Sequence, residues 1–214
     1  MTRPLIGILG GTFDPVHVGH TQLAQDAIAA LGLDRLRCVP AGAPPHRAAP
    51  EAAAEHRLAM VRQAFTGMPV EIDDAEIRQA GPSWTIRTLE RLRGELPDAS
   101  LVLVLGSDAF LGLPTWHRWE DLVRYAHLAV ANRPGSDLDP AAMPDALKHL
   151  FQAHQSADMA ALRDRPAGHI VSFNMTPCAV SATQIRAALR QGRPITALVS
   201  VPVEKYIQQH HLYT

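Results

Sequence analysis

Gly10-Gly11-Thr12-Phe13-Asp14-Pro15-Val16-His17-Val18-Gly19-His20 stands between a short apolar run, Leu5 to Leu9, and an amphipathic stretch with Leu23, Ala27, Ala30 and Leu31 at helical spacing. The run reads as a buried strand, residues 10–20 as a glycine turn, and the amphipathic stretch as a helix. A glycine turn lets the backbone approach a ligand closely. The helix behind it offers unpaired N–H groups and the positive end of its dipole to an anion. A phosphate suits such a turn.

His17 and His20 are three residues apart, so a helix beginning near Val18 projects both imidazoles to one side of its first turn. There they can meet one polyphosphate. A single histidine at a helix start is more often a surface or capping residue; two of them beside Gly10-Gly11-Thr12 shift the balance. The loop has no lysine and no GK[ST], which excludes a P-loop, and Gly7-x-x-Gly10 is not the dinucleotide fingerprint. Zinc on His17, His20 and His46 lacks an acidic or cysteine partner at metal-ligand spacing, so the expected metal is Mg²⁺ carried by nucleotide phosphates.

Outward from the turn, Leu36-Arg37-Cys38-Val39 predicts a second strand, closed by Pro40 and a loop through Pro44-Pro45-His46-Arg47. Strand, helix, strand is the signature of a parallel sheet. Ligands there bind at the carboxyl ends of the strands, which puts residues 10–20 and 40–47 on one rim. Residues 51–66 read as a helix, Val70 to Ile72 as a strand, and Ser83 as the N-cap of a helix carrying Ile86, Leu89, Leu92 and Leu96. Leu101 to Leu105 is uninterrupted Leu and Val, suited to a sheet centre covered on both faces. It runs into Gly106-Ser107-Asp108, where Asp108 either hydrogen-bonds a ribose or caps the next helix. His127 to Ala131 and His169 to Phe173 are further strands, and residues 136–167 between them, with a helix near 140–155, read as an insertion or lid. Ser181 and Gln184 have capping-box spacing, and one turn later Arg186 can offer a planar fork to phosphate oxygens beside Thr183. Pro202 opens a final helix.

The whole reads as one α/β domain over 1–214, a Rossmann-like parallel sheet with helices on both faces. At 214 residues, with 47% hydrophobic and 19% charged, the chain has the composition of a single well-buried globular core. Lys plus Arg number 20 against 21 Asp plus Glu, so the net charge of −1 supplies no broad positive field for nucleic acid. Cys38 and Cys178 form no CxxC pair, which fits a reduced, cytoplasmic setting. The apolar run before Gly10 is too short for a signal peptide, and nothing later approaches a membrane span. Oligomeric state is not legible.

The stretch from Gly10 to His20 resembles the nucleotidyltransferase signature of the HxGH type. Pro44-Pro45-His46-Arg47, Ser83-Trp84-Thr85, Gly106-Ser107-Asp108, Trp116, Arg133-Pro134-Gly135 and Ser181-Ala182-Thr183-Gln184-Ile185-Arg186 then follow in the order seen in bacterial nicotinate-nucleotide adenylyltransferases. The resemblance runs from about Leu5 to Tyr213. It implies transfer of AMP from ATP to nicotinate mononucleotide, with deamido-NAD and pyrophosphate as products. It also implies that Gly10, Gly11, Thr12, Phe13, His17, His20, Ser181, Thr183 and Arg186 hold ATP, with Gly106 and Asp108 near its ribose. His46, Thr85, Trp116 and Arg133 would face the acceptor, its pyridine ring stacked on Trp116. Trp84 stands where the family often has Tyr, and Arg87 where it often has an acidic residue. The alternatives are an adenylyltransferase acting on nicotinamide mononucleotide or phosphopantetheine, and a nucleotide-binding module without catalysis.

Overall fold

The computed structural model describes residues 2–44, 49–132 and 138–214. Its strands are β1 (Leu5–Gly11), β2 (Arg35–Pro40), β3 (Val70–Ile72), β4 (Ser100–Gly106), β5 (His127–Asn132) and β6 (Ile170–Asn174). The helices are α1 (Val18–Leu31), α2 (Ala54–Ala64), α3 (Ala75–Arg78), α4 (Thr85–Glu95), α5 (Ser107–Leu111), α6 (Leu122–Tyr125), α7 (Asp145–His154), α8 (Ala182–Arg190) and α9 (Val201–Gln209).

The strands form one parallel sheet in the order β3-β2-β1-β4-β5-β6. The uninterrupted run in β4 sits at its centre, and the pleat divides it. Val102 and Val104 join β1's Leu5 and Leu9, β5's Ala129 and Ala131 and the helices α1, α2, α8 and α9 in one core. Leu101, Leu103 and Leu105 join Ile6, Ile8, Leu128 and Val130 in a second core under α4, α5, α6 and α7. A strand covered on both faces has no polar side to alternate, which is why the sequence there shows none.

Residues 138–167, expected to belong to an insertion or lid, carry the crossover from β5 to β6. Met143 and Leu147 are buried in the second core, Leu162 in the first, and Gln155 bridges to Ile170. Those three side chains tie the segment to the layers that cover the sheet.

β1 stays paired with β2 as far as Gly11 opposite Pro40, but its pairing with β4 ends at Ile8 opposite Leu103. The strand order reverses at the same place, since the chain winds outward from β1 to β3 and then returns to β4. Beyond Ile8 the carboxyl ends of β1 and β4 part, and an open parallel sheet has its ligand crevice at such a switch point.

Candidate active site

The turn after β1 is built around Phe13. Its backbone takes φ +52°, and its ring is buried against the edge of His20, with centroids 4.8 Å apart. A Cβ on Gly11 would come within 2.8 Å of the Phe13 ring, so that glycine is sterically required. A Cβ on Gly10 would meet nothing within 4 Å, so its backbone faces open space at the crevice. Phe13 therefore forms the floor of the turn, and only its main chain is available to a nucleotide.

Two buried charges hold this turn. Arg57 of α2, 1% exposed, donates to the carbonyls of Thr12 (2.7 Å), Ala41 (2.6 Å), Gly42 (2.9 Å) and Ala52 (3.2 Å). One guanidinium thus ties the loop after β1 to the loop after β2, with its planar fork meeting fixed acceptors. Asp14 is 5% exposed and accepts from the backbone N–H of Glu51 (2.7 Å) and Ala52 (3.1 Å) and from the Tyr213 hydroxyl (2.8 Å).

His17 and His20 stack, with ring centroids 3.8 Å apart and planes 26° from parallel. The same-side placement expected from their spacing is met. His20 Nδ1 accepts from the His17 backbone N–H at 3.2 Å, so the proton of its neutral ring belongs on Nε2. Burial lowers the pKa of His17 to about 4, which makes it a neutral imidazole at pH 7. Its Nδ1 is buried with no hydrogen-bond partner among the described residues. The helix start offers fewer donors than the sequence promised, because Val18 N–H is taken by the Leu198 carbonyl (3.0 Å) and His20 N–H by the His17 carbonyl (2.9 Å).

The start of α8 lies against the turn. Arg186 donates to the Asp14 carbonyl (2.7 Å) and to Glu51 (2.8 Å), and Arg190 also pairs with Glu51. Arg190, with Arg186, holds the Glu51 carboxyl below its usual range. The Ser181–Gln184 capping box is present, Ser181 Oγ accepting from Gln184 N–H at 3.3 Å and Gln184 Oε1 from Ser181 N–H at 3.1 Å. Ser181 and Thr183 are exposed at this end. Upstream, Asp26 of α1 accepts from Thr176 N–H at 2.7 Å and brings the approach to α8 over α1.

Across the crevice, a Cβ on Gly106 at the end of β4 would meet nothing within 4 Å. Asp108 is exposed in the first turn of α5, whose N-cap position is Gly106, so the capping alternative for Asp108 does not hold. Thr85 opens α4 and is half-buried, as is Trp116. Arg118, two residues beyond Trp116, pairs with Glu90 of α4 at 2.8 Å and with Asp121 at 2.9 Å, and so ties the Trp116 segment to that helix. Trp84 stacks obliquely on His117 at 4.7 Å. His46 and Arg133 lie outside the described residues.

Ser83 does not cap α4. The N-cap position is Trp84, without a side-chain cap, and Ser83 Oγ instead accepts from Gly42 N–H (2.9 Å) and Ala43 N–H (3.1 Å). Arg57, Glu51, Tyr213 and Glu76 gave no sign of a role in the sequence: an arginine in an alanine-rich helix, surface-type carboxylates and a tyrosine near the C-terminus. Asp14, inside the Gly10 to His20 stretch, offered only its carboxylate as a signal.

A cavity of about 430 Å³ beside β3 is lined by Arg37, Asp73, Arg91 and Glu95, among others. These charges pair with one another, Arg91 with Asp73 at 2.6 Å and with Glu95 at 2.7 Å, and Arg37 with Glu95 at 3.2 Å. That leaves no positive field there for a polyphosphate. No helix among the described residues is long and apolar enough to cross a membrane.

A family model described as cytidylyltransferase-like matches residues 8–188. The chain is 48% identical to a "probable nicotinate-nucleotide adenylyltransferase" of Dechloromonas aromatica, covering 100% of this chain and 99% of the relative. It is 50% identical to a protein of the same description from Pseudomonas fluorescens, covering 97% of this chain and 96% of the relative. In fold it is similar to Plasmodium falciparum nicotinic acid mononucleotide adenylyltransferase complexed with NaAD, with a TM-score of 0.74 at 16% identity over 99% of this chain and 98% of that one.

Proposed function

The chain belongs to the cytidylyltransferase-like family, and from that premise we propose that it transfers the adenylyl group of ATP to nicotinate mononucleotide, giving deamido-NAD and pyrophosphate. The observation that carries the reading is the stacked His17–His20 pair at the switch-point crevice, with Arg186 anchored on the same turn through the Asp14 carbonyl.

The acceptor's phosphate monoester is largely dianionic at neutral pH, its second pKa being about 6, so its oxygen attacks without a general base. A bond forms between that oxygen and the α-phosphorus of ATP; the bond from the α-phosphorus to the α–β bridging oxygen breaks, and its electron pair leaves with pyrophosphate. The remaining task is to hold two anions in line and to stabilise charge on the α-phosphate and the leaving group. His20, its Nδ1 already accepting, presents Nε2–H as a fixed donor. His17 contributes a neutral ring, and Arg186 the cationic fork.

Gly10, Gly11, Thr12 and the main chain of Phe13 would line the phosphates. Ser181 and Thr183 would add hydroxyls, and Gly106 and Asp108 would meet the ribose. Thr85 and Trp116, with His46 and Arg133, would face the acceptor. Among the described residues no three His, Cys, Asp or Glu side chains are grouped to hold a metal. Mg²⁺ would enter on the triphosphate. When bound, the ion would neutralise phosphate charge.

The test is pyrophosphate release from Mg-ATP with nicotinate mononucleotide, its amide analogue and phosphopantetheine in turn. Turnover with the first above the other two is expected. Release with none of them would overturn the catalytic reading in favour of a binding module.

A further inference from the structure

Glu76 has no part in the chemistry above, yet its carboxylate stands where two loops meet. It belongs to α3, the short helix after β3. Its Oε1 accepts from Thr88 Oγ1 at 2.5 Å. Ser83 Oγ has its lone pairs occupied by Gly42 N–H and Ala43 N–H, and Ser83 N–H donates to the Ala43 carbonyl at 2.9 Å.

The packing leaves these groups little freedom. A Cβ on Gly42 would come within 2.2 Å of the Glu76 carbonyl oxygen, so the loop after β2 lies directly on α3. Thr88 is 7% exposed and sits one turn after Thr85 on the same side of α4. Glu76 thus holds α4 at its second turn, one turn beyond Thr85. Around the carboxylate, Asp73 and Arg91 are the other charged groups that act on it.

We propose that Glu76 is a positioning residue for the acceptor half of the site, acting through Thr88 on α4 and so on Thr85 at the start of that helix. This rests on the functional reading above, in which Thr85 and His46 face the acceptor while the turn after β1 faces ATP. The turn after β1 is held from elsewhere, by Arg57 and Asp14 through residues 12, 41, 42, 51, 52 and 213, none of them in α4. Disturbing Glu76 therefore moves one substrate's binding and not the other's, whereas a general loss of fold would move both.

Glu76→Gln keeps the shape but replaces one accepting oxygen with an NH2 group and removes the charge from the bond to the Thr88 hydroxyl. It is expected to raise KM for nicotinate mononucleotide about tenfold while KM for ATP stays within about twofold. Thr88→Val, which deletes the hydroxyl that donates to Glu76 at nearly constant volume, should shift KM the same way and serves as the second variant if Glu76→Gln folds poorly. Thr88→Ser, which retains the hydroxyl, should behave as the parent chain. Titrating acceptor against tryptophan fluorescence without ATP reads the same affinity independently of turnover. Parallel rises in both KM values, or no change in a folded Glu76→Gln, overturns the proposal while leaving the reaction intact. A parent chain that neither binds nor adenylates the acceptor overturns the functional reading and this one with it.

Discussion

The His20 ring is oriented by a hydrogen bond within its own turn. Because Nδ1 accepts from the His17 N–H, the ring's orientation and tautomer are set before any nucleotide arrives, and the Phe13 edge packs the ring at 4.8 Å. A donor held this way costs no reorganisation in the transition state. His20→Ala is expected to lower kcat on the order of a hundredfold or more, with ATP affinity changed much less. Steady-state kinetics on the folded variant checks this, and a near-normal kcat would remove His20 from the reaction. The same-side placement of His17 and His20 was readable from a spacing of three. That His17 is a buried neutral base was not, because burial depends on what packs over the turn.

Between elements, Arg57 joins the loops that follow β1 and β2, accounting for four carbonyl oxygens at once. Lysine has the charge but a single nitrogen, and cannot reach acceptors spread along both loops. Arg57→Lys should destabilise the fold by about 2–4 kcal/mol through buried carbonyls left without donors. It should also raise KM for ATP, since Thr12 and its neighbours lose their tether. Urea unfolding and ATP-dependent kinetics would show the pair of effects together; a neutral substitution would mean that water replaces the fork. Element types were largely legible because apolar runs and helical periodicity are local. The Ser83 cap was misread because Ser83 gave its hydroxyl to residues 42 and 43, a competition that no local pattern reveals.

For the molecule as a whole, the end of the chain closes back on its beginning. Tyr213 donates to Asp14, 199 residues away, and its hydroxyl pKa is raised by burial and by that carboxylate. Tyr213→Phe should cost about 1–2 kcal/mol, measurable as a lowered midpoint of thermal or urea unfolding. Acid should weaken the fold more generally. His17 and His127 each have a folded pKa lowered to about 4 from 6.5 by burial, and His127 Nδ1 accepts from His169 N–H. Below 6.5 the unfolded chain takes up protons that the folded one refuses until about 4. Their contribution is therefore complete above that window and lost as pH falls through it. Unfolding free energies measured at about pH 7 and about pH 5 should differ in that direction; equal values would mean the two rings are not held neutral.

The sequence by itself determined the parallel α/β sheet, the glycine turn with its two histidines, and the capped start of α8. Each rests on short-range pattern: apolar runs, a period near 3.6 residues, and a Ser–Gln pair three apart. Only the tertiary structure decided that Phe13 is the floor of the turn, that Met143, Leu147 and Leu162 anchor residues 138–167 to the two cores, and that Asp14, Glu51 and Arg57 hold the turn from behind. Those roles are made by hydrogen bonds between residues far apart in the chain, and a buried charge takes its meaning from partners that folding brings to it.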